Sequence, residues 1–348
     1  MDVRSLLKVM VDQEASDLYL TVESPPAYRV HGATQLTDAP PFTNEQLEAL
    51  ALALMRGQQR QEFEEKMEMN LALYYKELGR FRVNIFRQRG NVGLVFRHIK
   101  AEIQTADQLG LPQIVKDIAM TKRGLVLVAG STGSGKSTTL AAMIDHRNAT
   151  HPGHIVTVED PIEFVHSHKR SIITQREVGF DTLSFQSALR NTLRQAPDVI
   201  LIGEIRDTET MEAAITFAET GHLCIGTLHS NNANQAIERI MNFFPVERHA
   251  QIYLQLSLNL RAIISQRLVP SVDGKRAPAL EIMLDTPRIK DLIKKAEVDS
   301  LKEAMEQGVD EGCQTFDYVL FQLYKDARIT LEQALINADS ANNLRLKI

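Results

Sequence analysis

The sequence predicts an α/β protein, in which a domain with a parallel sheet is preceded by a smaller α+β unit and followed by a helical C-terminal region. The main observation is that short apolar runs alternate with helical stretches over residues 111–272, a pattern typical of a parallel sheet. Before it, three alternating runs separated by turn residues predict an antiparallel meander. A chain of 348 residues is also too long for one simple core.

The first block, residues 1–100, mixes the two kinds of pattern. Leu6, Leu7 and Met10 recur at helical spacing, and a second helix is expected from residue 44 to about residue 69. The expected strands are 17–22, 28–30, 71–75, 81–86 and 92–98. We therefore expect an antiparallel α+β domain over 1–100, joined to the second block by a linker at 101–110.

The second block, residues 111–272, supplies the parallel sheet, and the third, residues 273–348, is expected to be mostly helical. The expected strands of the sheet are 124–129, 155–158, 199–202 and 223–226. Amphipathic runs predict C-terminal helices at 289–305, 316–324 and 331–336. Because open parallel sheets bind ligands at the carboxyl ends of their strands, polar residues at those ends are the candidates for chemistry.

A glycine-rich loop follows the first of these strands and leads into a helix. Gly130, Gly133 and Gly135 let successive backbone N–H groups turn inward, Lys136 can reach the β- and γ-phosphates, and the Ser137 hydroxyl can bind Mg²⁺. This pattern between a strand and a helix predicts a nucleoside-triphosphate site. The expected cofactor-binding residues are Ser131, Thr132, Gly133, Ser134, Gly135, Lys136, Ser137 and Thr138.

Two acidic positions follow other strands of the sheet. Glu204 ends the apolar run that starts after Asp198, where a carboxylate can orient or deprotonate the attacking water and contact the metal; the alternative is a surface acid. Glu163 lies in an expected βα turn and could hold a metal-bound water or couple the site to a neighbour. Its alternative is that Asp160 and Pro161 simply shape a turn.

Two histidines bracket the strand at 223–226. His229 is expected to sense the γ-phosphate through a hydrogen bond, and the alternative is a packed imidazole. His222 is interpreted as a structural contact. Zinc is disfavoured because seven residues of extended chain, at roughly 3.3 Å per residue, place the two rings far apart on opposite faces.

The strongest charge bias lies in the first block. In the run 80–85 arginines alternate with apolar residues, so that one face of the strand presents guanidinium groups. Arg82 and Arg97 are the candidates to stabilise transition-state charge, in cis or from the next subunit. The alternatives are a solubilising basic face or a nucleic-acid strip.

Composition narrows the functional class. A net charge of −5 argues against a nucleic-acid partner, since neutralising phosphates needs concentrated Lys and Arg. Cys224 and Cys313 are the only cysteines, which leaves no four-cysteine zinc element. The sequence has neither a signal-peptide pattern nor an apolar run of about 20 residues, so a cytoplasmic location is expected.

Five segments resemble motifs of the type IV pilus retraction ATPases, the PilT/PilU branch of the secretion ATPase superfamily, and occur in the same order along the chain. They are the loop 130–138, the acidic stretch 157–166, the segments 198–207 and 220–229, and the arginine-bearing segment 79–86 with Phe96 and Arg97. The resemblance implies a homohexameric ring with a PAS-like N-terminal domain and a RecA-like domain that binds ATP with Mg²⁺. It also implies that Arg82 and Arg97 lie in a segment that carries interprotomer arginines.

Two departures concern the subfamily. Where the PilT branch carries Ala-Ile-Arg-Asn-Leu-Ile-Arg-Glu, this chain reads Pro-Arg-Ile-Lys-Asp-Leu-Ile-Lys from residue 287, while the ending 338–348 looks like the PilU branch. The resemblance then implies an accessory motor for pilus retraction and twitching motility. Its partners would be a PilT-like ATPase and a platform protein at the inner face of the inner membrane. The alternatives are a nucleotide-gated subunit with little turnover, or a pilus assembly or type II secretion ATPase.

Overall fold

The computed structural model describes residues 2–99, 102–346 and 348. The chain divides into two compact units. The first runs to Glu102 and includes Glu163–Val165, and the second comprises Ile103–Ile162 and His166–Ile348. The division falls at the start of the expected linker 101–110; residues 100 and 101 lie outside the described part of the chain. Ala106, within that expected linker, is buried in the core of the second unit.

The first unit is built on a six-stranded antiparallel sheet with the order β3-β2-β1-β6-β5-β4. Its elements are α1 Val3–Asp12, β1 Asp17–Leu20, β2 Ala27–Val30, β3 Ala33–Leu36, α2 Asn44–Leu54, α3 Gly57–Lys66, β4 Glu68–Tyr75, β5 Gly79–Gln88 and β6 Asn91–Ile99. Burial alternates along β5, with Phe81, Val83 and Ile85 buried on the face toward the core. The expected antiparallel α+β architecture is therefore observed here.

The single helix expected from residue 44 to about 69 is two helices and the start of a strand. Met55 has an extended backbone that ends α2, and Arg60 donates hydrogen bonds to the carbonyl oxygens of Leu52 at 2.7 Å and Met55 at 3.1 Å. Because this guanidinium satisfies carbonyl groups at the end of α2, the helix can stop there at little cost. Met67 then adopts a left-handed conformation that ends α3.

The second unit is built on a seven-stranded sheet with the order β13-β12-β7-β11-β10-β8-β9, parallel except for β13. Its elements up to the fifth strand are α4 Gln113–Ala119, β7 Gly124–Ala129, α5 Lys136–Thr150, β8 Gly153–Glu159, β9 Ser171–Glu177, α6 Phe185–Thr192, β10 Val199–Ile202, α7 Thr208–Glu219 and β11 Leu223–Leu228. The remainder are α8 Ala233–Met241, α9 His249–Asn259, β12 Leu260–Pro270, β13 Arg276–Leu284, α10 Pro287–Lys294, α11 Leu301–Gln307, α12 Phe316–Lys325, α13 Leu331–Asn337 and α14 Ala341–Arg345.

Three strands of this sheet, β9, β12 and β13, are absent from the sequence prediction, and β13 lies in the region expected to be mostly helical. Most of β12 and β13 is buried, so neither strand shows the alternation of period two that marks a half-exposed strand. From α10 onward the C-terminal region is helical, as expected. The run expected as one helix over 289–305 is broken after α10, where Ala296 has a φ of 62°.

The connection after β8 also differs from the expected βα turn. No helix follows β8; residues 160–170 lead directly to β9, which pairs with β8 in parallel. Within this connection, Glu163–Val165 belong to the first unit. Among the described residues, no helix combines the length and the apolar character needed to cross a membrane.

Candidate nucleotide site

The carboxyl ends of the parallel strands bring the expected nucleotide residues to one edge of the second unit's sheet. The glycine-rich loop follows β7, Glu204 lies two residues after β10, and His229 directly follows β11. The strands are neighbours in the order β7-β11-β10 and run parallel. Their ends therefore meet, as the sequence predicted.

The backbone of the glycine-rich loop requires glycine at two positions. Gly130 and Gly135 have φ of 155° and 90°. A Cβ at Gly130 would lie 2.4 Å from Ser134 Oγ, and one at Gly135 would lie 2.8 Å from Gln266 Nε2. The loop thus closes tightly before the first turn of α5, a geometry that directs N–H groups and the helix N-terminus toward an anion.

Ser134 supplies a direct test of whether this loop suits a phosphate. Its Oγ is buried and has no hydrogen-bond partner within the described part of the chain. Since buried hydroxyl groups are nearly always hydrogen-bonded, an orphan in this position fits a loop that donates to a bound phosphate.

Lys136 begins α5 and folds back over the loop. Its Nζ donates to the carbonyl oxygens of Gly130 at 2.8 Å and Ser131 at 2.9 Å. Burial lowers the pKa of Lys136, and the nearby carboxylate of Glu204 opposes this effect. The ammonium group is therefore held at the loop and lies within electrostatic range of Glu204.

Glu204 and His229 face each other across the ends of β10 and β11. Nε2 of His229 lies 3.4 Å from Oε1 of Glu204, and the two side chains are 36% and 40% exposed, Glu204 the lower. The strand ends are fixed by Ile205 N–H donating to the Thr227 carbonyl at 2.9 Å. A carboxylate and an imidazole placed in this way can share the handling of a water proton.

A cavity of about 340 Å³ adjoins the loop. One wall is Gly130–Ser134; the other wall is formed by Asn231, Gln266, Arg267, Leu268, Arg276 and Asn337. Gln266 is fixed, because its Oε1 accepts a hydrogen bond from Thr139 Oγ1 at 2.7 Å. The sequence did not predict this second wall. The available signal was the polar pair Gln266 and Arg267 inside an otherwise apolar run.

The expected arginines lie on the first unit's sheet. Arg82 and Arg97 are directly opposite each other on β5 and β6, so they share a face. Nε of Arg97 donates to Oδ1 of the buried Asp17 at 2.9 Å, and this hydrogen bond raises the pKa of Arg97. The charge of Glu163 acts in the same direction. Glu163 thus belongs to the unit of Arg97, and the second unit, which holds Ser137 and Glu204, does not contain it.

No group of three or more His, Cys, Asp or Glu side chains suited to a metal ion occurs among the residues that the structure describes. Mg²⁺ at phosphate sites uses one or two protein ligands together with phosphate oxygens and waters. The exposed Ser137 in the first turn of α5 fits that mode.

Comparison with known proteins agrees with this geometry. Residues 4–336 match the family described as type II/IV secretion system protein. The chain is 53% identical to the type IV pilus ATPase PilU of Pseudomonas aeruginosa, over all of this chain and 91% of that protein. It is 44% identical to the retraction ATPase PilT of the same organism, over 99% of this chain and all of that protein.

A solved structure is also closely similar. The crystal structure of the pilus retraction motor PilT with bound ADP superimposes with a TM-score of 0.93 at 42% identity, covering 99% of both chains. The family match, the relatives and the bound nucleotide of this neighbour agree with the loop, the cavity and the sheet edge described above. The chain belongs to the type II/IV secretion system protein family and is a nucleotide-binding ATPase of its PilT/PilU branch.

Proposed function

We propose that this chain is a homohexameric motor that hydrolyses ATP to drive type IV pilus retraction, as a PilU-like accessory to a PilT-like ATPase. The observation that carries the proposal is the similarity to PilU along the whole chain, which exceeds the similarity to PilT. The motor is proposed to act on the platform protein of the pilus machinery. It would be located at the cytoplasmic face of the inner membrane, as a peripheral protein.

In the proposed reaction the loop residues Ser131–Thr138 bind the phosphates, and Lys136 leaves its loop carbonyl groups to contact the β- and γ-phosphates. The Ser137 hydroxyl would hold Mg²⁺, which would neutralise charge on the phosphates. Glu204 orients and deprotonates the attacking water, and His229 orients Glu204 and senses the γ-phosphate. Support for this step comes from the 3.4 Å contact between their side chains.

Arg82 and Arg97 are proposed to complete the site by stabilising transition-state charge, in cis or from the next subunit. Their shared face on β5 and β6 supports a paired role. Glu163 is proposed to act with these arginines, since its charge is already felt by Arg97. The expectation that Glu163 holds a metal-bound water stays a prediction.

The test is steady-state ATP hydrolysis by the purified protein and by Glu204→Gln, with oligomeric state measured in the same samples. We expect a hexamer that hydrolyses ATP, and a variant that binds nucleotide but loses about 10²- to 10⁴-fold in turnover, the range for loss of a general base. Glu209→Gln, an acid in the first turn of α7, is the matched control and should turn over normally.

A second experiment separates the motor from the alternative of a nucleotide-gated subunit with little turnover. The altered segment that forms α10 favours that alternative. Adding a PilT-like ATPase to the hexamer should raise the combined hydrolysis above the sum of the separate rates. If the combined rate is unchanged by Glu204→Gln in this chain, the accessory-motor proposal is wrong and the gated subunit is favoured.

A further inference from the structure

A cluster of charged side chains lies beside the nucleotide cavity and has no part in the proposed chemistry. Its members come from β12, β13, α11, α12 and the segment after α13, which are far apart in sequence. They are Arg267, Glu281, Lys302, Asp317 and Asp339. Because desolvated charges are costly unless paired, a cluster this close to the site calls for a functional reason.

Arg267 connects two segments of the chain. Its Nη2 donates to the carbonyl oxygen of Asn231 at 3.3 Å and to Oδ1 of Asp339 at 2.6 Å. Its Nη1 donates to the carbonyl oxygen of Asn337. The guanidinium also stacks over the ring of Phe316, with 3.8 Å to the ring centroid. These contacts fix the orientation of the planar guanidinium group, whose N–H donors have a rigid geometry.

The segment 337–340, here called the C-terminal strap, is fixed by the other members of the cluster. The backbone N–H groups of Asp339 and Ser340 both donate to Oδ1 of Asp317, at 2.8 and 3.2 Å. Lys302 pairs with Asp317 at 3.0 Å and with Asp339 at 3.5 Å. Asp317 is almost fully buried, so the backbone of the strap is hydrogen-bonded to a side chain in the interior of the fold.

The other end of the arginine bridge is the loop 229–232, here called the β11 loop. It begins at His229, which faces Glu204, and its Asn231 carbonyl rests on Arg267. Directly after it, the N–H of Ala233 donates to Oε1 of the buried Glu281 at 2.7 Å. Strands β12 and β13 thus hold the loop that carries His229.

We propose that the C-terminal strap is a positioning element for ATP hydrolysis, in which Asp339 orients Arg267 and Arg267 holds the β11 loop with His229 facing Glu204. This inference rests on the proposed roles of Glu204 and His229. Within the strap, Asn337 lines the cavity beside the glycine-rich loop and Asp339 does not, and the β11 loop reaches the cavity through Asn231. Because Asp339 does not itself line the cavity, removing its charge should affect turnover more than nucleotide affinity.

Asp339→Asn tests the proposal, because it keeps the size of the side chain and removes its charge. We expect kcat to fall about fivefold or more while KM for ATP stays within about twofold. The matched control is Asp285→Asn. Asp285 also pairs with an arginine of β12, Arg261 at 2.7 Å, and with a lysine, Lys290 at 2.8 Å. Arg261 is six residues from Arg267, about 20 Å along the strand.

Asp285→Asn should lower thermal stability to a similar degree and leave kcat unchanged. A double-mutant cycle adds a readout that a purely structural role would not move. In a His229→Asn background, Asp339→Asn should cost less than about twofold in kcat, since its effect passes through that histidine. If Asp339→Asn does not fold, Asp339→Glu, which keeps the charge and displaces the carboxylate, replaces it with the same expected direction.

Equal kcat values for Asp339→Asn and Asp285→Asn would overturn the proposal, as would a change in KM alone or full additivity with His229→Asn. A separate variant, Glu204→Gln, tests the catalytic roles of Glu204 and His229 on which the proposal rests. If Glu204→Gln retains full turnover, those roles are wrong. If Glu204→Gln is inactive and Asp339→Asn behaves like the parent protein, only the strap proposal is wrong.

Discussion

The two sides of strand β7 serve the nucleotide site in different ways. On the side of β11 and β10, Glu204 and His229 are partly exposed and meet at 3.4 Å, longer than an ordinary hydrogen bond. On the side of β12 and β13, Gln266 and Arg267 are held by several shorter hydrogen bonds. The first side presents groups that can still rearrange around a substrate, and the second presents a fixed wall.

The two sides of β7 therefore have different tasks around one glycine-rich loop. Reactive groups must exchange hydrogen-bond partners during the reaction, so short hydrogen bonds to the protein would oppose that exchange. Groups that only hold a ligand or a loop benefit from being fixed before the ligand arrives. Substitutions of the reactive groups on the β11 side should therefore change turnover directly, whereas substitutions on the β12 side should change affinity, stability or the position of the β11 loop.

The largest effect is expected on the β11 side, for His229→Asn. Loss of the imidazole leaves the Glu204 carboxylate without the group that orients it, so we expect turnover to fall about 10²-fold. Nucleotide affinity should change less than about threefold, since the phosphates are bound mainly by the loop. Steady-state hydrolysis and equilibrium binding of a fluorescent ATP analogue measure the two quantities.

His222→Asn is the matched control at the opposite end of the same strand. Its Nδ1 lies 3.1 Å from Thr220 Oγ1, and its distance from the sheet edge removes it from the reaction. Normal turnover is expected. Equal losses for His222→Asn and His229→Asn would show that the strand, and not the pairing of His229 with Glu204, is being tested.

The residues on the two sides of β7 also differ in how well the sequence predicts their positions in the site. Each residue on the β11 side ends an apolar run and follows a strand closely, so a local pattern was enough to place Glu204 and His229 at one sheet edge. Gln266, Arg276 and Asn337 come from three elements that only the tertiary fold brings together. No local pattern marks such residues, because the long-range packing that assembles them leaves no periodicity in the sequence.

The connection that carries Glu163 is a second place where the local sequence pattern did not predict the fold. Its position after β8 predicted a βα turn, and the local pattern is correct as far as Glu159, where the strand ends. The chain then enters the first unit for three residues before returning to β9. Glu163 acts electrostatically on Arg97, which is far away in sequence, and no local pattern predicts such an interaction. The antiparallel pairing of β13 with β12 was missed for a related reason, since burial hides the alternation of a strand.

A smaller effect is expected on the fixed side, for Glu281→Gln. Burial raises the pKa of Glu281 from 4.5 to about 7; the charge of Asp339 acts in the same direction, and the hydrogen bond from the Ala233 N–H and the charges of Arg267 and Lys302 oppose it. The folded state thus binds this proton more tightly than the unfolded state. Its contribution to stability is full below about pH 4.5 and is lost as pH rises through about 7.

The glutamine side chain carries no proton to lose, so the variant should gain stability relative to the parent protein as pH rises. We expect a difference of about 2 kcal/mol between the relative unfolding free energies at pH 5 and pH 8. Urea unfolding at several pH values measures it, with the exposed Glu306→Gln as the control. A relative stability that does not vary with pH would mean that Glu281 stays ionised across the range.

The smallest effect is expected for Arg276→Ala, which removes an exposed cation from the cavity wall opposite the loop. An arginine at an exposed position contributes on the order of 1 kcal/mol to the binding of an anionic ligand, so the Kd for ATP should rise about fivefold. At saturating ATP, kcat should stay within about twofold, because Arg276 is on the far side of β7 from Glu204. Lys275→Ala, the neighbouring exposed cation outside the cavity, should change neither quantity. A fall in kcat with unchanged Kd for Arg276→Ala would contradict the assignment of Arg276 to ligand binding, since it would give this side chain a role in turnover instead.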